Sequence, residues 1–96
     1  MVTIGMNYSV IPGKEQIFED ACAKVLDTME GIDGHDTSSL FKEVADSEPV
    51  YLIVSRWKEE QSFKDFIASD AFKKVTSWGA LNILRGRPSH TTYQHE

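Results

Sequence analysis

An asparagine in the middle of an apolar strand is the first residue of this chain whose type suggests chemistry. Asn7 lies among small neighbours, Thr3, Gly5 and Ser9, in a segment that is otherwise typical of a β-strand. Asparagine is disfavoured inside strands, so its presence there needs a reason. One reason is a carboxamide that donates a hydrogen bond to a substrate oxygen as negative charge develops on it. The other is an amide whose hydrogen bonds go to the neighbouring backbone, and the sequence leaves both open.

Aromatic side chains supply a second requirement of a reaction site, a surface from which water is excluded. Trp57 ends a predicted strand, and Phe66 and Phe72 follow it at positions compatible with helices. Trp78 lies further along the second of these helices. Large aromatic residues usually pack in a core, and that interpretation applies to each of the four. The same residues can also wall a pocket, so we treat them as candidate substrate-binding residues for a small apolar molecule.

The histidines and the single cysteine add little further chemistry. His35 lies beside two aspartates, where it is either a base at the mouth of the pocket, and so a candidate substrate-binding residue, or a solvated loop residue. His90 and His95 are an odd number of positions apart, so a regular strand points them to opposite faces and away from a shared metal ion. Cys22 lies among apolar residues at helical spacing, which favours a buried, inert thiol. We therefore predict no metal site.

The first half of the chain predicts a strand followed by a helix. Residues 2–10 alternate between apolar and polar side chains, which is the period of a strand. Pro12 and Gly13 then favour a turn. Residues 14–30 carry apolar side chains at helical spacing, and Gly31 is placed to end that helix.

The second half predicts a hairpin, two helices and a last strand. Residues 34–45 and 50–57 indicate strands, joined by turn-forming residues at 46–49. Apolar residues at helical spacing follow, interrupted at Ser69, which can cap a second helix. Residues 90–95 are typical of a final strand. The order β-α-β-β-α-α-β predicts an α+β, ferredoxin-like protomer with a four-stranded antiparallel sheet.

Composition limits the partners that such a domain can have. The chain has 96 residues, a formal net charge of -5 and a sequence pI of about 5.1. This charge argues against binding to nucleic acid and to anionic membrane surfaces. Because the sequence shows no signal peptide and no apolar run of membrane length, we expect a single cytoplasmic domain over residues 1–96.

A sheet with helices on one side leaves its other face bare. The apolar side chains of this chain are too many for that face to lie in water. A chain of this length also buries only about 60–65% of its extended-chain surface, so its own core is thin. We therefore predict a homodimer in which two sheets pack together, the alternative being a monomer with a polar bare face.

Four short motifs stand out once the order of elements is known. They are Ile4-Gly5-Met6-Asn7-Tyr8, Pro12-Gly13-Lys14, Gly31-x2-Gly34, and the spacing Trp57-x5-Phe63-x2-Phe66-x2-Ser69-x2-Phe72. Together they resemble the antibiotic biosynthesis monooxygenase (ABM) family of dimeric α+β barrel proteins. The resemblance implies a barrel closed across a dimer and one pocket per protomer between sheet and helices. It also implies a monooxygenase that acts on an aromatic or polycyclic substrate without metal or flavin, with Asn7 as the catalytic residue.

Haem-degrading members of that family offer a second template. They use an asparagine on the first strand, a tryptophan on the helix after the hairpin, and a histidine on the next helix as iron ligand. Asn7 matches the first, but Phe66 and Thr76 stand at the other two positions. Threonine is not an ordinary haem ligand, so we predict no haem cofactor, with ligation through His35 or His90 as the alternative. A dimer that binds a small apolar ligand without chemistry is the other alternative to an oxygenase.

Overall fold

The spacing of apolar residues, with period two in strands and helical spacing in helices, predicts the order of the elements correctly. The structure is a computed structural model that describes residues 1–44 and 48–95. In chain order its elements are β1 (Val2–Ser9), α1 (Glu15–Glu30), β2 (His35–Lys42), β3 (Val50–Trp57), α2 (Glu60–Ile67), α3 (Asp70–Asn82) and β4 (Ser89–Gln94). The α+β, ferredoxin-like order is confirmed. The predicted end of the second strand at residue 45 and turn residues 46 and 47 lie outside the described residues.

The four strands form one antiparallel sheet in the order β2-β3-β1-β4. Met6 of β1 lies opposite Ile53 of β3 on one side and opposite His90 of β4 on the other. Because paired residues share a face, these three side chains point to the same side of the sheet. Met6 and Ile53 are buried, which identifies this side as the one that the helices cover.

Trp57 lies at the centre of the core between the sheet and the helices. Its side chain is 0% exposed, and its indole Nε1 donates a hydrogen bond to Ser55 Oγ at 3.0 Å. This bond satisfies two polar groups that are both buried. The rings of Phe63 and Phe66 pack on the indole, each with a centroid distance of 5.8 Å. The start of α2 is thereby fixed against the end of β3.

Helix α1 covers the sheet with the apolar stripe that the sequence predicts. Phe18, Cys22 and Met29 are its buried residues. Gly31 ends the helix, and its backbone N–H donates to the Thr28 carbonyl at 3.2 Å. None of the helices in the described ranges is long and apolar enough to cross a membrane.

The break between α2 and α3 is made by Ser69, as its type and position predict. Its hydroxyl donates to the Phe66 carbonyl at 2.6 Å and accepts from the Phe72 N–H at 3.3 Å. The first bond satisfies a carbonyl at the end of α2, and the second satisfies an amide in the first turn of α3. The cap therefore fixes the angle at which α3 leaves α2, and with it the position of Phe72.

The residues that follow α3 are joined to the end of β1. Ile11 N–H donates to the Ile83 carbonyl at 2.8 Å, and Arg85 N–H donates to the Ser9 carbonyl at 2.9 Å. The Arg85 side chain also donates from Nε to the Val10 carbonyl at 3.0 Å and forms an ion pair with Glu48. Both ends of α3 are thus held to fixed points of the fold.

Replacement of Arg85 by alanine should loosen this attachment. We expect the free energy of unfolding to fall by about 1 kcal/mol, because a charge-assisted hydrogen bond to Val10 is lost while the exposed ion pair with Glu48 contributes little. Urea unfolding measures the change. Arg87→Ala removes the same type of side chain from an exposed position and should cost less than about 0.5 kcal/mol. Equal losses in the two variants would contradict a role for the Arg85 guanidinium.

The opposite face of the sheet is bare in the protomer. Leu52 and Val54 of β3 point to this face and are half-buried, between buried neighbours that point to the helices. Phe41 of β2 and Tyr93 of β4 flank them and are 54% and 58% exposed. We call this set of side chains the open face. Strand β3 is therefore covered by helices on one face only, whereas its sequence predicts burial on both faces.

Candidate functional site

A cleft lies between the helix-covered face of the sheet and the helices α1 and α3. It encloses about 460 Å³, part of which is open to solvent. Helix α1 contributes Phe18, Cys22 and Val25, and the sheet contributes Tyr8 and Ile53. We call this space the main cleft.

The other wall of the main cleft is formed by α3 and the residues that follow it. Phe72, Val75, Thr76 and Trp78 come from the helix, and Ile83 and Leu84 from the segment after it. The indole of Trp78 is 44% exposed and lies at the rim. The described part of the lining is therefore apolar apart from the hydroxyl groups of Tyr8 and Thr76, the Cys22 thiol and the indole N–H of Trp78.

The titratable groups in the main cleft are held in their neutral forms. Burial raises the pKa of Tyr8 above its ordinary value, with a smaller contribution from Cys22. Burial likewise raises the pKa of the Cys22 thiol to about 12, and the negative charge of Glu19 adds to the effect. At neutral pH the thiol is thus protonated and unsuited to nucleophilic attack. The Tyr8 phenol retains its proton and remains a hydrogen-bond donor.

The Tyr8 hydroxyl has only a weak partner in the described part of the chain. It donates to Met6 Sδ at 3.9 Å, and a thioether sulfur is a poor acceptor. The ring itself is held firmly, since it packs on Phe18 at a centroid distance of 5.3 Å. A ligand oxygen would be a better acceptor than sulfur. Tyr8 therefore offers a fixed, protonated donor to a ligand in the main cleft.

Tyr51 holds α1, which forms one wall of the main cleft, against the sheet. Its ring packs on Phe18 at 4.7 Å, and its hydroxyl donates to Glu19 Oε2 at 2.5 Å. Burial raises the pKa of Tyr51, and the hydrogen bond to Glu19 raises it further. This contact joins β3 to α1, and Tyr51 does not line the main cleft.

Two further clefts adjoin the main cleft. The side cleft encloses about 310 Å³ between α1, α2 and α3, and is lined by Lys24, Val25, Thr28, Phe66, Phe72 and Val75. The rear cleft encloses about 330 Å³ beside β4, and is lined by Met6, Ile67, Phe72, Thr76, Pro88, Ser89 and His90. Phe72 belongs to the lining of all three spaces.

Two of the residues predicted from the sequence come together in the main cleft. Phe72 and Trp78 both line it, on successive turns of α3. Phe66 is buried and lines the side cleft instead, with its ring 5.0 Å from that of Phe72. Contact of these three residues with a substrate stays a prediction.

Asn7 is not in the cleft, and the prediction that places it there is wrong. Its side chain is exposed. Met6 and Tyr8, its neighbours along β1, line the rear and main clefts, so the alternation of a strand points Asn7 to the open face. The signal was present in the sequence, since the apolar residues of this strand must face the helices and Asn7 belongs to the other set.

Trp57 and His35 also lie away from the three clefts. Trp57 is enclosed by the core, so its predicted place in the pocket wall is corrected. The ring of His35 packs against the indole of Trp57 at 5.0 Å. Its Nε2 is buried and has no hydrogen-bond partner among the described residues, which does not match a base at a pocket mouth.

The family can now be stated from the whole domain rather than from short motifs. The sequence profile of the family described as antibiotic biosynthesis monooxygenase matches residues 1–78. This chain belongs to the ABM family. The match covers β1 through most of α3, and so includes the elements that supply most of the wall of the main cleft.

Two relatives of this chain are named as haem-binding proteins. A "Putative heme-binding protein" of Natronomonas pharaonis is 30% identical over 88 residues, which is 92% of this chain, and one of Haloquadratum walsbyi matches equally. The chain spans only 14% and 16% of the lengths of these two relatives.

Solved structures of other proteins show the same fold. A conserved protein from Methanosarcina mazei matches with a TM-score of 0.86 and 20% identity, covering 99% of this chain and 92% of that one. SnoaB, a cofactor-independent oxygenase from Streptomyces nogalater, matches with a TM-score of 0.82 and 18% identity over the same shares. At these identities the likeness establishes the fold.

The residues of the main cleft do not fit a haem iron. Among the described residues that line it there is no histidine, and Thr76 occupies the position at which haem-degrading ABM proteins carry one. Tyrosine and cysteine ligate haem iron as anions. In the protein without iron, burial holds Tyr8 and Cys22 in their neutral forms, so ligation by either would require the loss of its proton. His90 lines the rear cleft, on the other side of Thr76.

Proposed function

We propose that this protein is a monooxygenase that acts on a small, apolar aromatic molecule in the main cleft, without a metal or flavin. The observation that carries the proposal is the composition of that cleft in a chain of the ABM family. It is an apolar space with a protonated phenol at one wall. Such a site excludes water from an aromatic ligand and leaves one strong donor for the ligand's oxygen.

The proposed reaction converts a ring methylene into a carbonyl. A substrate of the anthrone type loses a proton to give an electron-rich anion, which reduces O₂ directly. One oxygen atom of O₂ becomes the new carbonyl oxygen, and the other leaves with the two methylene hydrogens as water. Both electron pairs come from the substrate, so the balance needs no further reductant.

Tyr8 has the central role in this scheme. The negative charge of the anion lies largely on the substrate oxygen, and a fixed donor stabilises it in a space of low polarity. The described residues that line the main cleft include no carboxylate, lysine or histidine that could take the proton. Deprotonation therefore depends on the acidity of the substrate, which the Tyr8 hydrogen bond increases, and the proton leaves to water at the rim.

Oxygen uptake tests this proposal. Purified protein, dialysed against a chelator, is mixed with anthrone between pH 6 and pH 9 in an oxygen electrode. We expect uptake above the spontaneous rate, with one O₂ consumed for each anthraquinone formed. An uptake rate equal to the spontaneous rate, in protein that binds anthrone, would reject the enzyme and leave a ligand-binding protein as the function.

Haem binding is the second candidate function, because two relatives are named for it and His90 lines a cleft. We propose that it is not the function, since the described residues that line the main cleft include no histidine. In a haem titration we therefore expect no saturable shift of the haem absorption band that depends on His90, as a comparison with His90→Ala would show. A stoichiometric shift that depends on His90 would favour the haem protein.

We also propose that the protein is a homodimer that pairs its open faces. This arrangement covers Leu52, Val54, Phe41 and Tyr93, which are half-buried or exposed in the protomer. It would cover strand β3 on both faces, as its apolar sequence requires.

A carboxylate at the centre of the open face should separate the dimer. Val54→Asp places an unpaired charge in the proposed interface, and we expect the dissociation constant to rise at least about 100-fold. Sedimentation over a range of protein concentrations measures it. Ile17→Asp is the matched control, because Ile17 is 42% exposed on α1, away from the sheet. A dimer that withstands Val54→Asp would exclude this interface.

A further inference from the structure

Phe72 stands where three separate spaces meet. Val25 and Val75 are shared by the main and side clefts, and Thr76 by the main and rear clefts. In the part of the chain that the structure describes, Phe72 alone lines all three. Its side chain therefore forms part of the wall of each of the three spaces.

The ring of Phe72 is held against the core through Phe66. Phe66 packs against it at a centroid distance of 5.0 Å with an interplanar angle of 57°, and Phe66 in turn packs on the buried Trp57. The backbone of Phe72 is fixed by the hydrogen bond from its N–H to Ser69 Oγ. The ring is thus anchored to the core and is partly buried against it. Removal of the Phe72 ring would open the wall between the main cleft and its neighbours without opening the core.

The spaces beyond Phe72 differ in chemistry from the main cleft. The rear cleft ends on Ser89 and His90, two residues of β4 that carry hydrogen-bonding side chains. The side cleft is bordered by Lys24 and Thr28 of α1. A ligand that extended past Phe72 would therefore bring a larger ring system, or a polar substituent, against groups that a ligand confined to the main cleft does not meet.

We infer that Phe72 determines the size of the ligand, by closing the main cleft to ring systems that would extend into the rear and side clefts. The inference rests on that part of the proposed function which places an aromatic ligand in the main cleft. It does not depend on whether oxygen chemistry follows.

Binding of two phenols of different size tests this inference. The probes are 2-naphthol, with two rings, and 1-hydroxypyrene, with four; each has one hydroxyl and its own fluorescence. We expect wild type to prefer 2-naphthol. Phe72→Ala should shift the ratio of the two dissociation constants at least about tenfold towards 1-hydroxypyrene. Phe72→Leu, which keeps more of the packing on Phe66, should shift the ratio less and in the same direction.

Ile67→Ala is the matched control, because Ile67 lines the rear cleft but neither of the other two. It enlarges the space beyond Phe72 and should leave the ratio unchanged. The inference is overturned if both Phe72 variants keep the wild-type ratio, if Ile67→Ala shifts it as much as Phe72→Ala does, or if wild type and the Phe72 variants bind neither probe. Selective binding without oxygen uptake would instead remove the proposed activity and retain the role of Phe72.

Discussion

Tyr8→Phe should lower the rate of oxygen uptake with anthrone about 100-fold. The substitution removes one hydroxyl from the main cleft and leaves the ring that packs on Phe18. Loss of a single preorganised donor to a developing oxyanion commonly costs about 100- to 1,000-fold in kcat. Because the ring and the apolar wall persist, KM should change by less than about threefold. Steady-state kinetics in an oxygen electrode separate the two constants.

Tyr51→Phe is the matched control for this variant. It removes the same hydroxyl from a tyrosine that contacts Phe18 but donates to Glu19 and does not line the main cleft. We expect its kcat to stay within about threefold of wild type, since no group that would contact the substrate is lost. If both variants lose activity equally, the effect comes from the packing of α1 and not from a donor in the site.

The raised pKa of Tyr8 sets the pH range over which its phenol acts as a donor, and it also affects the stability of the folded protein at high pH. The folded protein holds the phenolic proton more tightly than the unfolded chain does. The donor therefore persists throughout the range from about pH 6 to pH 9. The same difference in pKa makes the folded state lose stability as the pH rises above about 10, where the unfolded tyrosine ionises first.

Trp57→Ala should destabilise the protein without a specific effect on ligand binding. The indole is 0% exposed and packs on Phe63 and Phe66, so its removal leaves a cavity and should cost about 3–5 kcal/mol. It also removes the donor to Ser55 Oγ. For a domain of this size, the lower figure corresponds to a fall of about 15 °C in Tm. Calorimetry measures the fall, and binding of 2-naphthol well below the Tm should be retained.

Trp78→Ala should show the opposite behaviour. This indole is 44% exposed at the rim of the main cleft, so its loss should cost about 1 kcal/mol or less in stability. Affinity for 2-naphthol should fall by about tenfold, because part of the apolar wall is gone. If Trp57→Ala weakened binding more than Trp78→Ala at equal folded fraction, the assignment of Trp57 to the core would be incorrect.

The elements of the fold could be predicted from the sequence because each carries a local signal. The alternation in β1, the apolar stripe of α1 and the cap at Ser69 depend only on residues near in the chain. Ser69 is the sharpest case, since one side chain both ends α2 and starts α3. The final strand was predicted from the composition of a few residues and is also present.

The candidate site was less predictable because its walls come from distant parts of the chain. Tyr8 and Cys22 face each other only after α1 packs on the sheet. No short motif marks that contact. The stripe of α1 could have suggested that Cys22 points to the sheet, but not that a space remains between them. In the sequence, Thr76 is distinguished only as the position at which the expected histidine is missing.

The placement of Asn7 failed for a different reason. The family resemblance assigned it to the pocket, while the alternation of β1 assigned Met6 and Tyr8 to the helix side. A strand cannot point adjacent residues to the same face, so the two assignments were incompatible. The local geometry was the better guide. Asn7→Ala is accordingly expected to leave oxygen uptake unchanged.

The attachment of α3 at both ends has a consequence for how ligands exchange. The helix starts at the Ser69 cap, and after its end the Ile83 carbonyl accepts from Ile11 N–H and Arg85 N–H donates to the Ser9 carbonyl. A segment held at two points cannot swing outwards as a flap without breaking at least one attachment. Entry to the main cleft then proceeds through its opening to solvent, with rotation of side chains at the rim, chiefly Trp78. Such rotations take nanoseconds, so the association rate should be limited by diffusion and not by a slow opening of the protein.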